Sequence, residues 1–329
     1  MGSGSFDSIG YSARAAARTA SGRSVFTHDA DVAAGRAAAV HEAMDLRNKL
    51  IREARDNDDN PFSFPIAVMF DVTGSMRDIP DFLQKELGKL MGFVLGEGIV
   101  DYPQILFGAV GDAFSDQAPL QMGEFEADDA LVEKCLSQIY LEGGGGGSHE
   151  ESYELAMYHF AKHVKTDAWE KRGTKGALFL IGDENYYSEI SADAIRRVMG
   201  EDIGQDVTTA QIAAELQRRW NVFLIRPGGT YHFDDVSIER AWKEILPPQH
   251  VIRCPDKQQI VPLIAMTVGA IAGRDLASSA DALARHGFDK KLVTSAAGEL
   301  MDLAKSGTLV AAPTTAIAST GGGAGAARL

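Results

Sequence analysis

Five uninterrupted apolar residues, Ile66-Ala-Val-Met-Phe70, run directly into a carboxylate, Asp71, with hydroxyls two and four residues further on at Thr73 and Ser75. No polar residue alternates within the run, so neither face can be wet. The pattern is that of a strand covered on both sides, as in a parallel sheet between two layers of helices. Parallel neighbours need long crossovers, so a chain built around such a strand must alternate strand and helix. In open α/β sheets ligands bind beyond the carboxyl ends of the strands, which is where Asp71, Thr73 and Ser75 fall. All three offer only oxygen, which suits a hard cation such as Mg²⁺. The local alternative is that Asp71 caps the next turn and the hydroxyls satisfy backbone groups.

The alternation continues along the chain. Ile79 to Leu95 has helical spacing, and Ile105 to Val110 is a second buried strand ending in Gly111-Asp112. Ala118 to Met122 reads as a short edge strand and Asp128 to Ile139 as a helix with an acidic start. Five glycines, Gly143 to Gly147, precede Ser148-His-Glu-Glu151 and a helix to about Val164. A third strand, Ala177 to Ile181, ends in Gly182-Asp183-Glu184. Helices follow at Ala192 to Met199 and Thr208 to Arg219, then strand Asn221 to Ile225, helix Val236 to Ile245, strand His250 to Arg253 and helix Gln258 to Ala272.

The expected fold class is therefore α/β: a doubly wound, mostly parallel central sheet flanked by helices over residues 61–273, with helical extensions at both ends. Residues 1–28 read as a flexible arm. Residues 29–60 read as a helix, Asp29 to Arg55, capped by Asp29 or Asp31, and a linker. A helical extension covers 274–306, with helices at Ser278 to His286 and Lys290 to Lys305, and 307–329 reads as a disordered tail.

The formal charge is −14, from 46 acidic and 32 basic residues, which argues against nucleic acid or an anionic membrane as the main partner. Cys135 and Cys254 lack metal-ligand spacing and read as reduced, buried thiols of a cytoplasmic protein. Met1 to Gly10 has no apolar core of a secretory signal, and Phe6 stands where a myristoylation pattern wants Ser or Thr. Ile260 to Ala272 is too short to span a bilayer, so no membrane insertion is expected.

Three loops carry the same oxygen chemistry: Asp71/Thr73/Ser75, Ser148 after the glycine run, and Asp183. In a parallel sheet these loops share one edge, and together they would make a Mg²⁺ site. Glycines let backbone approach an ion closely; the alternative for that run is a flexible linker. Asp71-x-Thr73-x-Ser75 resembles the D-x-S/T-x-S signature of the von Willebrand factor A (VWA) family, which defines its metal-ion-dependent adhesion site. Gly145-Gly-Gly-Ser148 resembles the family's Gly-rich second loop, with Ser148 in place of its Thr or Asp, and Leu178 to Asp183 resembles its third. The resemblance covers about residues 65–270. It implies an intracellular adaptor or assembly subunit, not an enzyme, holding Mg²⁺ or Mn²⁺ through Asp71, Thr73, Ser75, Ser148 and Asp183. The partner would supply an acidic side chain, as in proteins that work beside AAA-type ATPases or in multi-component assemblies. Glu184 departs from the family's usual glycine and adds a carboxylate that competes with the partner's.

Two further readings compete. Phe70-Asp71-Val-Thr73 and Gly182-Asp183-Glu184 also resemble haloacid-dehalogenase-like phosphatases, with Asp71 as nucleophile, but Thr73 stands where that family has an acid and Lys175 precedes its strand. Alternatively the ion only stabilises a structural subunit. Among weaker signals, His159 and His163 have the i, i+4 spacing of a zinc pair but read as a solvated helix face. Arg226-Pro-Gly-Gly-Thr230 reads as a turn near the same edge. Tyr186 and Tyr187 either flank the ion or pack in the core.

Overall fold

Successive side chains of the first buried strand meet different cores. In the computed structural model, which describes residues 7–21, 26–76, 78–96, 98–143 and 149–306, strand β1 (Phe64–Asp71) sends Ile66, Val68 and Phe70 into one apolar cluster and Ala67 and Met69 into another. This is the period-two alternation of a strand with both faces covered.

The other strands of the central sheet are β2 (Pro103–Val110), β3 (Leu120–Met122), β4 (Gly176–Ile181), β5 (Trp220–Pro227) and β6 (Val251–Cys254). Their order is β6-β5-β4-β1-β2-β3, parallel throughout except for the edge strand β3, which runs antiparallel to β2. The chain moves outward from β1 through β2 to β3, then crosses to β4 on the other side of β1. A crevice therefore opens at the carboxyl ends of β1 and β4. Phe70 lies opposite Ile181 in the register, so Asp71 and Asp183 emerge side by side.

Thirteen α-helices are described: α1 (Ser8–Ala20), α2 (Thr27–Ala33), α3 (Ile79–Gly96), α4 (Asp129–Ser137), α5 (Tyr153–Lys162), α6 (Asp167–Arg172), α7 (Ala192–Met199), α8 (Thr209–Leu216), α9 (Val236–Ile245), α10 (Ile260–Ile271), α11 (Leu276–Arg285), α12 (Lys290–Glu299) and α13 (Met301–Ser306). Helices α1, α3, α4 and α10 to α13 contribute to the core on one face of the sheet, and α5, α7, α8 and α9 to the core on the other. Asp128, expected as the first residue of this helix, instead caps α4 by accepting from the amides of Ala130 and Leu131. No helix among the described residues is long and apolar enough to cross a membrane; α10 is buried against the sheet.

The amino-terminal segments differ from expectation. Within the arm expected to be flexible, Ser8–Ala20 is helical. Tyr11 is buried, Arg14 pairs with Asp129 and Glu133, and Arg18 pairs with Glu133. An Ala/Arg-rich stretch has little periodicity of its own, and docking on α4 supplies what propensity does not. The expected helix Asp29 to Arg55 is only α2, uncapped by any side chain, followed by turns and a strand, Arg52–Ala54, parallel to Val164–Thr166. Met44 enters one core and Leu46 the other, a division that one helix face cannot make. Arg52 is fully buried and donates to the carbonyls of Met122 and Gly123 at 2.9 and 2.8 Å, tying this segment to the sheet edge. The extension after α10 forms three helices, α11 to α13, instead of two. Residues 307–329, expected to form a tail, lie outside the described residues.

Candidate functional site

Asp71 ends β1 with no exposed surface. Its Oδ1 accepts from the Thr73 amide at 2.8 Å and from Thr73 Oγ1 at 2.5 Å, and its Oδ2 accepts from the Tyr153 hydroxyl at 3.0 Å. Ser75 lies on the short 3₁₀ turn Gly74–Met76, and its Oγ lies 3.2 Å from Thr73 Oγ1. The same Oγ donates to Asp183 Oδ1, from the end of β4, at 2.9 Å. The Asp183 Oδ2 accepts from the His232 amide at 2.9 Å. Four of the five expected ligands, Asp71, Thr73, Ser75 and Asp183, thus form one connected set of oxygens. Two oxygens on adjacent corners of a Mg²⁺ octahedron, each about 2.1 Å from the ion, lie about 3 Å apart. The Thr73–Ser75 and Ser75–Asp183 spacings match that edge.

The fifth, Ser148, lies outside the described residues together with Gly144 to Gly147. The residues on either side are held at this edge. The Gly143 amide donates to the Val72 carbonyl at 3.2 Å, and the His149 carbonyl accepts from the Asn185 amide at 3.1 Å. Glu150–Glu151 forms a short parallel pair with Asn185–Tyr186.

Two more carboxylates crowd the set. Glu151 and Glu184 are buried, and Oε2 of each has no hydrogen-bond partner among the described residues. Burial raises Asp71 to about 7, opposed by Thr73's hydrogen bond and reinforced by the charge of Asp183. Burial, then the charge of Asp71, pushes Glu151 up to about 11; the same two causes push Glu184 up to about 8. Buried carboxylates in mutual repulsion, with orphaned oxygens, are the chemistry that a divalent cation satisfies. The residues therefore fit a hard metal: Asp71 and Asp183 would supply charge, Thr73 and Ser75 neutral oxygens. Among the described residues no group of three or more His, Cys, Asp or Glu side chains forms a ready-made metal cage, so hydroxyls and water would have to complete the shell.

Three supports were not legible as such. Tyr153, the first residue of α5, holds Asp71 from below; a Cβ on Gly182 would stand 1.7 Å from its hydroxyl, so only glycine lets Tyr153 cross β4 there. His232 fixes Asp183 through its backbone, and its ring meets that of His149 at 4.8 Å. Glu151 carried a weak signal, as the second acid of Ser148-His-Glu-Glu151 after the glycine run. The turn at Arg226 to Thr230 does lie at this edge: Arg226 is buried and donates to the His232 carbonyl at 2.6 Å. Tyr186 packs against Trp242 in the core, whereas the Tyr187 hydroxyl donates to Asp112 Oδ1 at 3.0 Å.

No protein-family model matches this sequence, and no curated protein sequence is similar to it. Among solved structures it is similar to proximal thread matrix protein 1 from the mussel byssus, with TM-score 0.42 and 11% identity over 63% of this chain and 47% of that one. It is also similar to the pilus adhesin SpaC from Lactobacillus rhamnosus GG in its open conformation, with TM-score 0.43 and 9% identity over 67% of this chain and 31% of that one. The chain spans less than half the length of either. Likeness at this level bears on neither activity nor partner.

The weaker candidates resolve differently. His159 and His163 are both buried, not on a solvated face. His159 Nε2 contacts the Leu50 carbonyl at 2.7 Å and His163 Nε2 contacts Glu201 at 2.8 Å, so each ring serves packing. Lys175 donates to the Gln217 carbonyl at 2.7 Å, before the amino end of β4 and thus at the opposite edge from Asp71. Cys254 is buried and Cys135 partly so; both are free.

Proposed function

We propose that this chain is a metal-dependent protein-interaction module of the VWA type, an adaptor or assembly subunit acting in the cytoplasm. The observation that carries the reading is the 2.9 Å contact between Ser75 and Asp183, which joins the first and third motifs into one oxygen set. The strand order, reversing between β1 and β4 with an antiparallel edge strand, supports a doubly wound arrangement of that type. Mg²⁺ or Mn²⁺ is the ion, and Ser148 is its remaining protein ligand. The bound ion offers an open coordination position to an acidic side chain of the partner, an AAA-type ATPase or another assembly component. The protein's own residues orient that position: Tyr153 and Thr73 hold Asp71, and His232 holds Asp183.

Catalysis by Asp71 as a nucleophile is disfavoured because Thr73 stands where an acid would be needed and Lys175 lies at the opposite edge of the sheet. The test is affinity capture with the full chain and with Asp71→Ala, each in Mg²⁺ and in chelator. A partner lost on chelation and absent from the folded Asp71→Ala variant supports the module. Capture indifferent to both leaves the ion a structural role, and phosphomonoester turnover abolished in Asp71→Asn would assign catalysis instead.

A further inference from the structure

Glu184 stands one residue beyond Asp183, and its side chain turns inward. Although a charged group at a loop, it is only 5% exposed. Its Oε1 lies 3.4 Å from His232 Nε2, and its Oε2 has no hydrogen-bond partner among the described residues. The charges of Asp71 and Asp183 act on the same carboxylate. The Ser75 hydroxyl is the hub of the oxygen set, in contact with both Thr73 and Asp183. Glu184 follows Asp183 directly in sequence, so its buried carboxylate belongs to the same end of the sheet. Leaving a carboxylate oxygen buried and unpaired is costly, so an orphan in this position calls for a ligand.

Resting on the metal-dependent reading above, we infer that Glu184 is an in-chain substitute for the partner's acid: it caps the open position of the ion held by Asp71, Thr73, Ser75 and Asp183, and a partner must displace it. His232 flanks the carboxylate on one side: its ring lies beside Oε1 and packs against that of His149. A lone carboxylate then competes poorly, and only a partner that adds further contacts opens the site. Affinity is reduced by the fraction of chains in which Glu184 is displaced, which makes the residue a determinant of specificity.

The experiment uses the full chain and Mn²⁺ as probe, reading affinity by calorimetry and bound water by proton relaxation. Acetate serves as the competing carboxylate. In Glu184→Gln the bound Mn²⁺ is expected to gain about one exchangeable water, and acetate to displace it at roughly tenfold lower concentration than in wild type. Glu184→Asp, which keeps the charge but retracts it by one methylene, is expected to behave the same way and decides the matter if the glutamine variant does not fold. Wild-type hydration and acetate response in the folded variants overturn the inference while leaving the metal site intact. Mn²⁺ binding unchanged by Asp71→Asn overturns both.

Discussion

The Tyr153 hydroxyl, at the start of α5, donates to Asp71 Oδ2 across 3.0 Å, and both residues are fully buried. A neutral donor beneath a carboxylate fixes its orientation without neutralising it, which leaves the charge for an ion. Tyr153→Phe keeps the ring and removes the donor. We expect a loss of about 1–3 kcal/mol in urea unfolding without metal, because a buried acceptor loses its partner. Mn²⁺ affinity should fall roughly 10- to 100-fold, as for other residues that orient a ligand. Unchanged affinity would remove Tyr153 from the site.

Gly182→Ala tests the same contact from the opposite side. The new methyl would lie 1.7 Å from the Tyr153 hydroxyl and 2.7 Å from its Cζ, so the ring must move. Overpacking of this kind typically costs about 1–3 kcal/mol. Combining it with Tyr153→Phe should cost less than the sum of the two, since both act on one contact. Additive losses in thermal or urea unfolding would contradict the shared contact.

Acid lability should report His159. Burial lowers its pKa to about 3, from about 6.5 when unfolded. The folded state keeps the ring neutral while the unfolded state takes up a proton below pH 6.5. Its contribution is therefore complete above pH 6.5 and is lost as pH falls towards 3, with a slope of at most about 1.4 kcal/mol per unit. His159→Gln should flatten the fall in urea midpoint between pH 6.5 and 4 relative to wild type. Parallel profiles would show that the ring is not the group that titrates.

Mg²⁺ or Mn²⁺ should raise the unfolding temperature. A ligand at a hundred times its Kd adds about 2.7 kcal/mol to stability, provided it binds only the folded state. The rise should vanish in Asp71→Asn and in the presence of chelator. An equal rise in that variant would locate the ion elsewhere.

How much could be read in advance follows from the range of each interaction. The buried strands, the alternation of strand and helix and the acidic start of the helix at Asp128 were legible, because apolar runs and charges at a helix end act over a few residues. The motif residues Asp71, Thr73 and Ser75 were legible for the same reason: Thr73 meets Asp71 two residues away.

The remaining partners of the site depend on crossovers. Ser75 and Asp183 are 108 residues apart, and Tyr153 is 82 residues from Asp71, so their meeting is set by which strands become neighbours in the sheet. The same holds for the amino-terminal segment. Ser8–Ala20 becomes helical against α4 through Tyr11, Arg14 and Arg18, whereas Asp29 to Arg55 gives up most of an expected helix so that Met44 and Leu46 can enter different cores. Local propensity amounts to tenths of a kcal/mol per residue, and burial of one large apolar side chain to about 1.5–3 kcal/mol. Where the two disagreed, packing won.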